Sequence, residues 1–456
     1  MSIDLTRRCR ECGTRFRLFP QPRFPERAHE PEVVWLLPTA GTLRAGPSDD
    51  RMYVVDPIGK PHPYGIARTP YGTSFLYYPP WNGPVYPPPL PGRSGHFDHV
   101  PIETPEFEAA HAYGVARFVL DIWEDYFGRP IRWHFLGDHD RLEIVLLRAL
   151  RNASAGYGFM ELGSDLVDGD LQLFSLNFDI IAHEMGHLIL YSEIGLPNLN
   201  ALEGEFFGFH ECGADLVALI TALHFDSVVD QLLETTKGNL YTFNELNRFA
   251  ELSSSQEIRV AGNSTKMSAF AMGWTNEHDL SEPLTGAFFD VLVDIFHDKL
   301  VQRGVISAEV EALMDELERR SELAGVIQSF FDRAYADDPE AVRLALLEAR
   351  DHVGIALAEL WRRLSADYLN YDDIGGAMLE VDREMTGGRY LTEIIRNFEW
   401  REIGMVTVGP RTAPPDAAAS HTFSARTVTP RDEGCLPRMS YRERWNVARR
   451  CRMMPP

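Results

Sequence analysis

The sequence predicts an α+β protein, because it combines short apolar runs of strand length with longer segments of helical periodicity. Residues 131–135 and 143–147 are the short runs, and the second could equally belong to a helix. The longer segments are apolar nearly all round, which is typical of helices buried in a core. They comprise residues 178–191, 206–225 and 286–301.

Two further segments have helical character. The segment 107–127 places apolar residues at helical spacing and stops at Gly128-Arg129-Pro130, where glycine and proline favour a helix end. Residues 307–370 are acidic and rich in Leu and Ala, with a break at Asp337-Asp338-Pro339. We expect a helical stretch there whose charged residues form solvated faces.

Length and proline content divide the chain into four predicted parts. Its 456 residues exceed one ordinary core of ~100–200 residues. Residues 1–105 hold 19 of the 30 prolines, interleaved with aromatic residues, so we expect loops and short edge strands that wrap over the main body. An α/β part over 106–190 precedes a helical part over 191–405. Residues 406–456 are predicted to be an irregular, Arg-rich tail.

Charge and composition exclude several classes of protein. With 67 acidic against 44 basic residues the net charge is −23, which is unfavourable near phosphate backbones, so no nucleic-acid binding is expected. No stretch approaches the ~20 apolar residues of a membrane-spanning helix. The first residues are charged where a secretory signal is apolar, and five cysteines make no disulfide framework. A cytoplasmic location is therefore expected.

A metal-binding motif, HExxH, lies within the helix predicted over 178–191. His183 and His187 are four residues apart, so both imidazoles share one helix face and can converge on one ion. Glu184 is rotated by roughly 100° from His183 and can face a water on that ion. The motif could arise by chance, but such groups are costly to bury unpaired in an apolar helix. A bound metal is the simpler interpretation, and zinc then needs a third protein ligand.

The next apolar helix, 206–225, offers the third ligand. Glu211 and Asp215 are again four residues apart and share one face. One carboxylate can bind the metal while the other accepts the free N–H of a ligating imidazole. The neighbours His210 and Cys212 point elsewhere on the helix, so we expect them to line the core or a cleft.

Three other carboxylates are weaker candidates for the third ligand. Glu203 and Glu205 lack a carboxylate four residues further on, which would be needed to orient an imidazole. Glu193 is too close in sequence to His187 to fold back easily. Glu211 is therefore the preferred ligand.

HExxH followed by ExxxD resembles the gluzincin pattern, and the surrounding residues are similar to the thermolysin-like zinc metallopeptidases. The resemblance covers roughly residues 107–300 and includes Asn152-Ala153 and Asp168-Gly169-Asp170. It implies a two-lobe fold, with a small mixed-sheet lobe, a mainly helical lobe and the metal helix in the cleft between them.

The resemblance also implies roles for individual residues. By this resemblance, His183, His187 and Glu211 would bind Zn²⁺. Glu184 would be the general base, and the Asp215 carboxylate would orient the His183 imidazole. Asn152 and Ala153 would lie on an edge strand that pairs with an extended substrate. His278, on a loop before the helix near residue 286, fits the place of a histidine that hydrogen-bonds the oxyanion.

Three features depart from the family pattern. Twenty-three residues separate His187 from Glu211, more than is usual. His210 stands where the family commonly has Asn, and no tyrosine upstream of Glu211 matches the one that helps to bind the oxyanion. These departures predict a remodelled cleft wall and altered stabilisation of the transition state.

We therefore expect a zinc-dependent peptidase of endopeptidase type that hydrolyses peptide or protein substrates with metal-activated water and Glu184 as general base. The alternative is a catalytically weak or inactive gluzincin scaffold that binds peptides or a partner protein. A third interpretation is an aminopeptidase in which Glu203 and Glu205 hold the free amine. The oligomeric state is not predicted.

The cysteines allow a second metal site. Cys9 and Cys12 have the spacing of half a zinc knuckle, and Cys435 with Cys451 could complete a four-thiolate site between the two ends. The spacing of the second pair is not diagnostic, so free thiols are the favoured interpretation.

Overall fold

A computed structural model describes residues 12–21, 30–68, 73–167, 170–198, 200–240, 248–249, 259–315 and 324–405. Within these ranges the chain has a mixed α/β fold of small sheets and ten α-helices. The strands are β1 (Gly13–Leu18), β2 (Glu32–Thr39), β3 (Met52–Val55), β4 (Gly65–Arg68), β5 (Ser74–Tyr77), β6 (Leu142–Leu146), β7 (Ala153–Gly156), β8 (Phe159–Leu162), β9 (Ser164–Val167), β10 (Asp170–Leu173), β11 (Arg248–Phe249) and β12 (Arg259–Val260).

The helices are named in chain order. They are α1 (Pro105–Phe127), α2 (Phe178–Glu193), α3 (Glu205–Ala222), α4 (Asp226–Thr236), α5 (Glu277–Gln302), α6 (Ala308–Asp315), α7 (Ala324–Asp337), α8 (Pro339–Trp361), α9 (Tyr371–Thr386) and α10 (Leu391–Trp400). The four predicted parts of the chain, bounded at residues 105, 190 and 405, stay a prediction.

Helix α1 runs through the core, and its ends follow the chain's own signals. The side chain of Thr104 accepts a hydrogen bond from the backbone N–H of Phe107, and Gly128 ends the helix with a φ of 64°. Every residue from 107 to 123 is buried. The indole of Trp123 stacks on that of Trp361 in α8, with 4.7 Å between ring centroids. The helix thus connects the sheet region with the helical part.

The largest sheet has four strands in the order β3-β6-β8-β7. Strands β3, β6 and β8 are parallel, and β7 runs antiparallel to β8 at the edge. Strand β6 is buried throughout, which explains its apolar sequence. Edge strand β7 packs beside α2, so the sheet's edge lies next to the helix that carries HExxH.

The proline-rich N-terminal part joins this core. Strand β3 pairs with β6, so the mixed sheet is not confined to residues 106–190 as the sequence predicted. Hairpin β1-β2 packs on α1, where the Phe16 ring stacks on those of Phe97 and Tyr113. The sequence predicted short edge strands in this part, and β3 is one, but its position was not predictable because a four-residue parallel strand depends on a partner about 90 residues away.

Three predicted boundaries differ from the structure. The strand predicted at 131–135 is wrong: these residues form a loop and turn whose alternately buried Ile131, Trp133 and Phe135 imitate a strand pattern. The helix predicted over 286–301 begins at Glu277, because Asn276 caps it and Pro283 is tolerated in its second turn. The helix predicted to end at 225 ends at Ala222.

Other predicted elements are confirmed. The strand at 143–147 corresponds to β6, and the helices at 107–127 and 178–191 correspond to α1 and α2. The break near 338 is present because Asp338 caps α8, accepting a hydrogen bond from the backbone N–H of Ala341 at 2.9 Å. The tail 406–456 and residues 168–169 lie outside the described residues.

Across the described residues, no single helix has both the length and the apolar composition of a membrane span. The pair α3 and α4 passes that test only when taken together, with a bend of 91° between them.

A buried histidine links three segments of the core. Nε2 of His111 in α1 accepts the backbone N–H of Phe19 at 3.0 Å, and its Nδ1 donates to the carbonyl oxygen of Ser175 at 2.8 Å. Burial lowers the pKa of His111 from 6.5 to about 4. The neutral ring is therefore part of the folded structure at neutral pH.

We expect this histidine to make the protein less stable in acid. Between pH 6.5 and about 4 only the unfolded chain binds the extra proton at this position, so the free energy of unfolding falls as pH falls, by about 3 kcal/mol in total. In His111→Gln the side chain keeps a donor and an acceptor without titrating. Urea unfolding across this range should show a shallower pH dependence in the variant, and equal slopes in both proteins would contradict the assignment.

Candidate metal centre

Three side chains from two helices meet in the core. His183 and His187 come from α2 and Glu211 from α3, and one ligand atom of each lies within 4.8 Å of the others. Nε2 of His183 is 3.2 Å from Oε2 of Glu211, and Nε2 of His187 is 3.7 Å from Oε1. All three are buried. In the part of the chain that the structure describes, this is the one group of three His, Cys, Asp or Glu that could hold a metal.

The two helices can approach so closely because small residues lie at their crossing. A Cβ at Gly186 would be 2.6 Å from the Cα of Ala214, and one at Gly213 would be 2.7 Å from Cδ1 of Leu190. Glycine inside a helix costs about 1 kcal/mol relative to alanine. The close packing explains why both glycines are present in otherwise favourable helices.

Hydrogen bonds orient the two imidazoles. Nδ1 of His183 donates to Oδ1 of Asp215, one turn beyond Glu211, at 2.9 Å. Nδ1 of His187 lies 3.5 Å from Nδ1 of His210. Both histidines therefore direct Nε2 towards Glu211, the arrangement in which a second partner sets the tautomer of a metal ligand.

His210 is the site residue whose role the sequence did not reveal. Its ring is fully buried, nearly parallel to that of His187 and 4.4 Å from the Tyr191 ring centroid. Burial lowers the pKa of His210 to about 3, so the ring is neutral and its Nδ1 can accept the N–H of His187. The available signal was a histidine inside an apolar helix, which needs a polar partner.

The Glu211 carboxylate is held in its ionised form. Burial alone would raise its pKa, but the nearby His278 and His187 and hydrogen bonds from His183 and His278 hold the pKa of Glu211 well below its usual range. A carboxylate oxygen beside two imidazole nitrogens is the His₂Glu donor set that zinc accepts in catalytic sites. The residues present therefore fit a zinc ion.

Glu184 differs from its helical neighbours in exposure. Residues 180–183 and 185–191 of α2 are buried, whereas Glu184 is half-buried. It follows His183 directly in the chain, and its side chain is partly accessible to solvent. A carboxylate in this position can meet a molecule that enters from solvent.

His278 reaches the cluster from a different element than predicted. It lies in the first turn of α5 rather than on a loop, since α5 begins at Glu277. Its Nδ1 is 2.8 Å from Oε2 of Glu211, and its side chain is 40% exposed. The His278 imidazole therefore lies between the buried Glu211 carboxylate and solvent.

The remaining candidates lie outside the cluster. Asn152 directly precedes edge strand β7, and Ala153 is its first residue. Glu193 accepts a hydrogen bond from Arg129 at 2.6 Å. Glu205 accepts the backbone N–H of Tyr371 at 2.6 Å and lines a separate pocket with Glu203. Cys12 is exposed, and the other three cysteines of the predicted second site lie outside the described residues.

Comparisons with known proteins add little to this description. No protein-family profile matches the sequence, and no curated protein matches it. Among solved structures, the fold is similar to the precursor of protealysin, a metalloproteinase from Serratia proteamaculans. The TM-score is 0.44 at 11% sequence identity, over 81% of this chain and 92% of that chain. At these values the likeness carries no argument about activity.

The helix crossing predicts a specific defect. In Gly186→Ala the new methyl group must push α3 away, because the Cα of Ala214 lies 2.6 Å from its position. We expect zinc affinity to fall at least about tenfold, as when a metal site loses its supporting contacts. The free energy of unfolding should fall by ~1–3 kcal/mol. Competition with a chromogenic zinc chelator and urea unfolding measure the two effects.

Gly325→Ala is the matched control, because a Cβ there meets nothing within 4 Å. It should bind zinc as the unaltered protein does. Unchanged zinc affinity in Gly186→Ala would show that the crossing does not position the ligands.

Proposed function

We propose that this protein is a zinc-dependent peptidase, an endopeptidase of the thermolysin-like gluzincin type. One observation carries the proposal: two imidazole nitrogens and one carboxylate converge within 4.8 Å, and the half-buried Glu184 directly follows His183 in the chain. The cluster supplies three protein ligands and leaves the fourth zinc position open, and Glu184 supplies an accessible base, as in catalytic zinc sites. A purely structural zinc site would use four protein ligands and need no such base.

Three residues would hold the ion: His183 and His187 through Nε2, and Glu211 through its carboxylate. When bound, zinc polarises a carbonyl group and lowers the pKa of water towards ~7. Asp215 keeps the N–H of His183 on Nδ1, so that Nε2 presents its lone pair. His210 has the same effect on His187, because its Nδ1 accepts a hydrogen bond from the Nδ1–H of His187.

Glu184 is the general base of the proposed reaction. It accepts a proton from the attacking water and passes it to the leaving nitrogen as the peptide bond breaks. Its partial exposure supports this role, because the carboxylate must meet both water and substrate. His278 donates a hydrogen bond to the oxygen that becomes negative during the attack, a contribution of ~2.7–4 kcal/mol for one such donor.

The proposed substrate is an extended peptide chain. Strand β7 is at the edge of its sheet and packs beside α2, so its outward-facing main-chain groups are suited to pair with a peptide near the cluster. Asn152 and Ala153 lie at the start of this edge. Pairing through the main chain holds a peptide without requiring particular side chains.

The proposal predicts that Glu184→Gln abolishes turnover and retains zinc. Glutamine has nearly the same shape but cannot accept the proton, so the rate should fall by at least about a hundredfold. Zinc content, measured by mass spectrometry, should stay at one ion per chain in both proteins. Hydrolysis of a quenched fluorescent peptide library by the zinc-loaded proteins measures the rate.

If both proteins are equally inert and both hold zinc, the peptidase proposal fails and the alternative of an inactive peptide-binding scaffold replaces it. N-terminally acetylated peptides provide a second comparison. An endopeptidase cleaves them, whereas an aminopeptidase requires the free amine.

A further inference from the structure

A pocket of about 430 Å³ lies at the start of α3, the helix that carries Glu211. It lies where the start of α3 meets the start of α5, with a third wall from the turn before α9. Its walls combine two carboxylates with aromatic rings and a thioether, from Glu203, Glu205, Met267, Phe270, Trp274 and Tyr368. None of the residues that line it is a Lys, Arg or His.

The pocket is built on α3 and α5, the same two helices that carry Glu211 and His278. Glu205 begins α3 six residues before Glu211, a distance of ~9 Å along the helix axis. On the opposite wall, Leu280 lies two residues after His278 in α5. A peptide whose scissile bond lies at the cluster can therefore place a nearby side chain in the pocket.

The carboxylates of this pocket favour a positively charged occupant. Burial raises the pKa of Glu205, and the negative charges of Asp372 and Glu203 raise it further. The hydrogen bond from the backbone N–H of Tyr371 to Glu205 offsets only part of this cost. A bound cation would relieve the repulsion between the two glutamates.

The remaining walls suit a cation with an apolar stem. Indole, phenyl and phenol faces attract ammonium and guanidinium groups. Tyr368 contributes its ring from a backbone with a φ of 57°, a conformation that non-glycine residues rarely adopt. Its backbone N–H donates to the carbonyl oxygen of Ala201 at 2.6 Å, which holds that conformation. The volume of the pocket far exceeds that of an ammonium group alone, so the pocket has space for a methylene chain.

We propose that this pocket binds the lysine or arginine side chain of the peptide substrate and so makes the enzyme selective for basic residues near the cleaved bond. The proposal rests on the proposed peptidase function, which supplies the peptide. The free N-terminal amine of a peptide has the same charge as a lysine side chain but lacks its methylene chain. The experiment therefore distinguishes these two sources of positive charge.

The test uses N-acetylated peptides that differ only by Arg, Lys, Gln or Leu at each position around the cleaved bond. With the zinc-loaded full chain, kcat/KM should be at least about tenfold higher for Arg or Lys than for Gln at one position. In Glu203→Gln this ratio should fall towards one. Glu234→Gln, an exposed change in α4 with the same loss of charge, should keep the ratio of the unaltered protein.

Trp274→Leu provides a second variant should Glu203→Gln fold poorly, and it should reduce the same ratio. Cleavage without preference for Arg or Lys overturns the proposal and leaves the peptidase function intact. A preference for Arg or Lys that persists in both variants also overturns the proposal. A preference that depends on a free N-terminal amine instead of the side chain overturns it as well.

A binding measurement separates failure of the pocket from failure of the peptidase. Fluorescence anisotropy with the zinc-loaded Glu184→Gln protein compares labelled Arg and Gln versions of one peptide. Tighter binding of the Arg peptide, lost on adding Glu203→Gln, supports the pocket even if no peptide is cleaved. Equal binding of the two peptides overturns it.

Discussion

The crossing of α2 over α3 is the constraint on which the rest of the site depends. Each helix carries two polar side chains four residues apart, and these pairs can meet only if the backbones are nearly in contact. Gly186 permits that contact, because a Cβ there would be 2.6 Å from the Cα of Ala214. The result is a buried carboxylate surrounded by imidazoles, and its desolvation is offset by their hydrogen bonds and charge. A zinc ion would add the strongest of these compensating interactions.

The rest of the fold keeps this crossing in place. Helix α1 packs against both α2 and α3, and β7, which is the last strand of its sheet in the described part of the chain, lies beside α2. The proline-rich segment is attached to the sheet by the pairing of β3 with β6 and also by side-chain hydrogen bonds. Buried Lys60 donates to Glu161 at 2.9 Å, and the Tyr64 hydroxyl donates to Glu143 at 2.9 Å.

Features that depend on nearby residues were predictable from the sequence, and features that depend on distant ones were not. The periodic apolar pattern predicts α1 and α2 within two residues at each end. The spacing of four residues in each helix predicts which faces carry His183, His187, Glu211 and Asp215. In contrast, the contact between His187 and His210 follows from the angle at which two helices cross, which no local pattern encodes. The pocket lined by Glu203 and Tyr368 likewise joins segments about 165 residues apart.

Anomalous X-ray scattering at the zinc edge, from crystals of the full chain prepared with zinc, tests the central claim most directly. The account predicts an anomalous peak bonded to Nε2 of His183, Nε2 of His187 and a carboxylate oxygen of Glu211, each at ~2.0–2.2 Å. A zinc ion bound elsewhere, with no peak among these three residues, would contradict it.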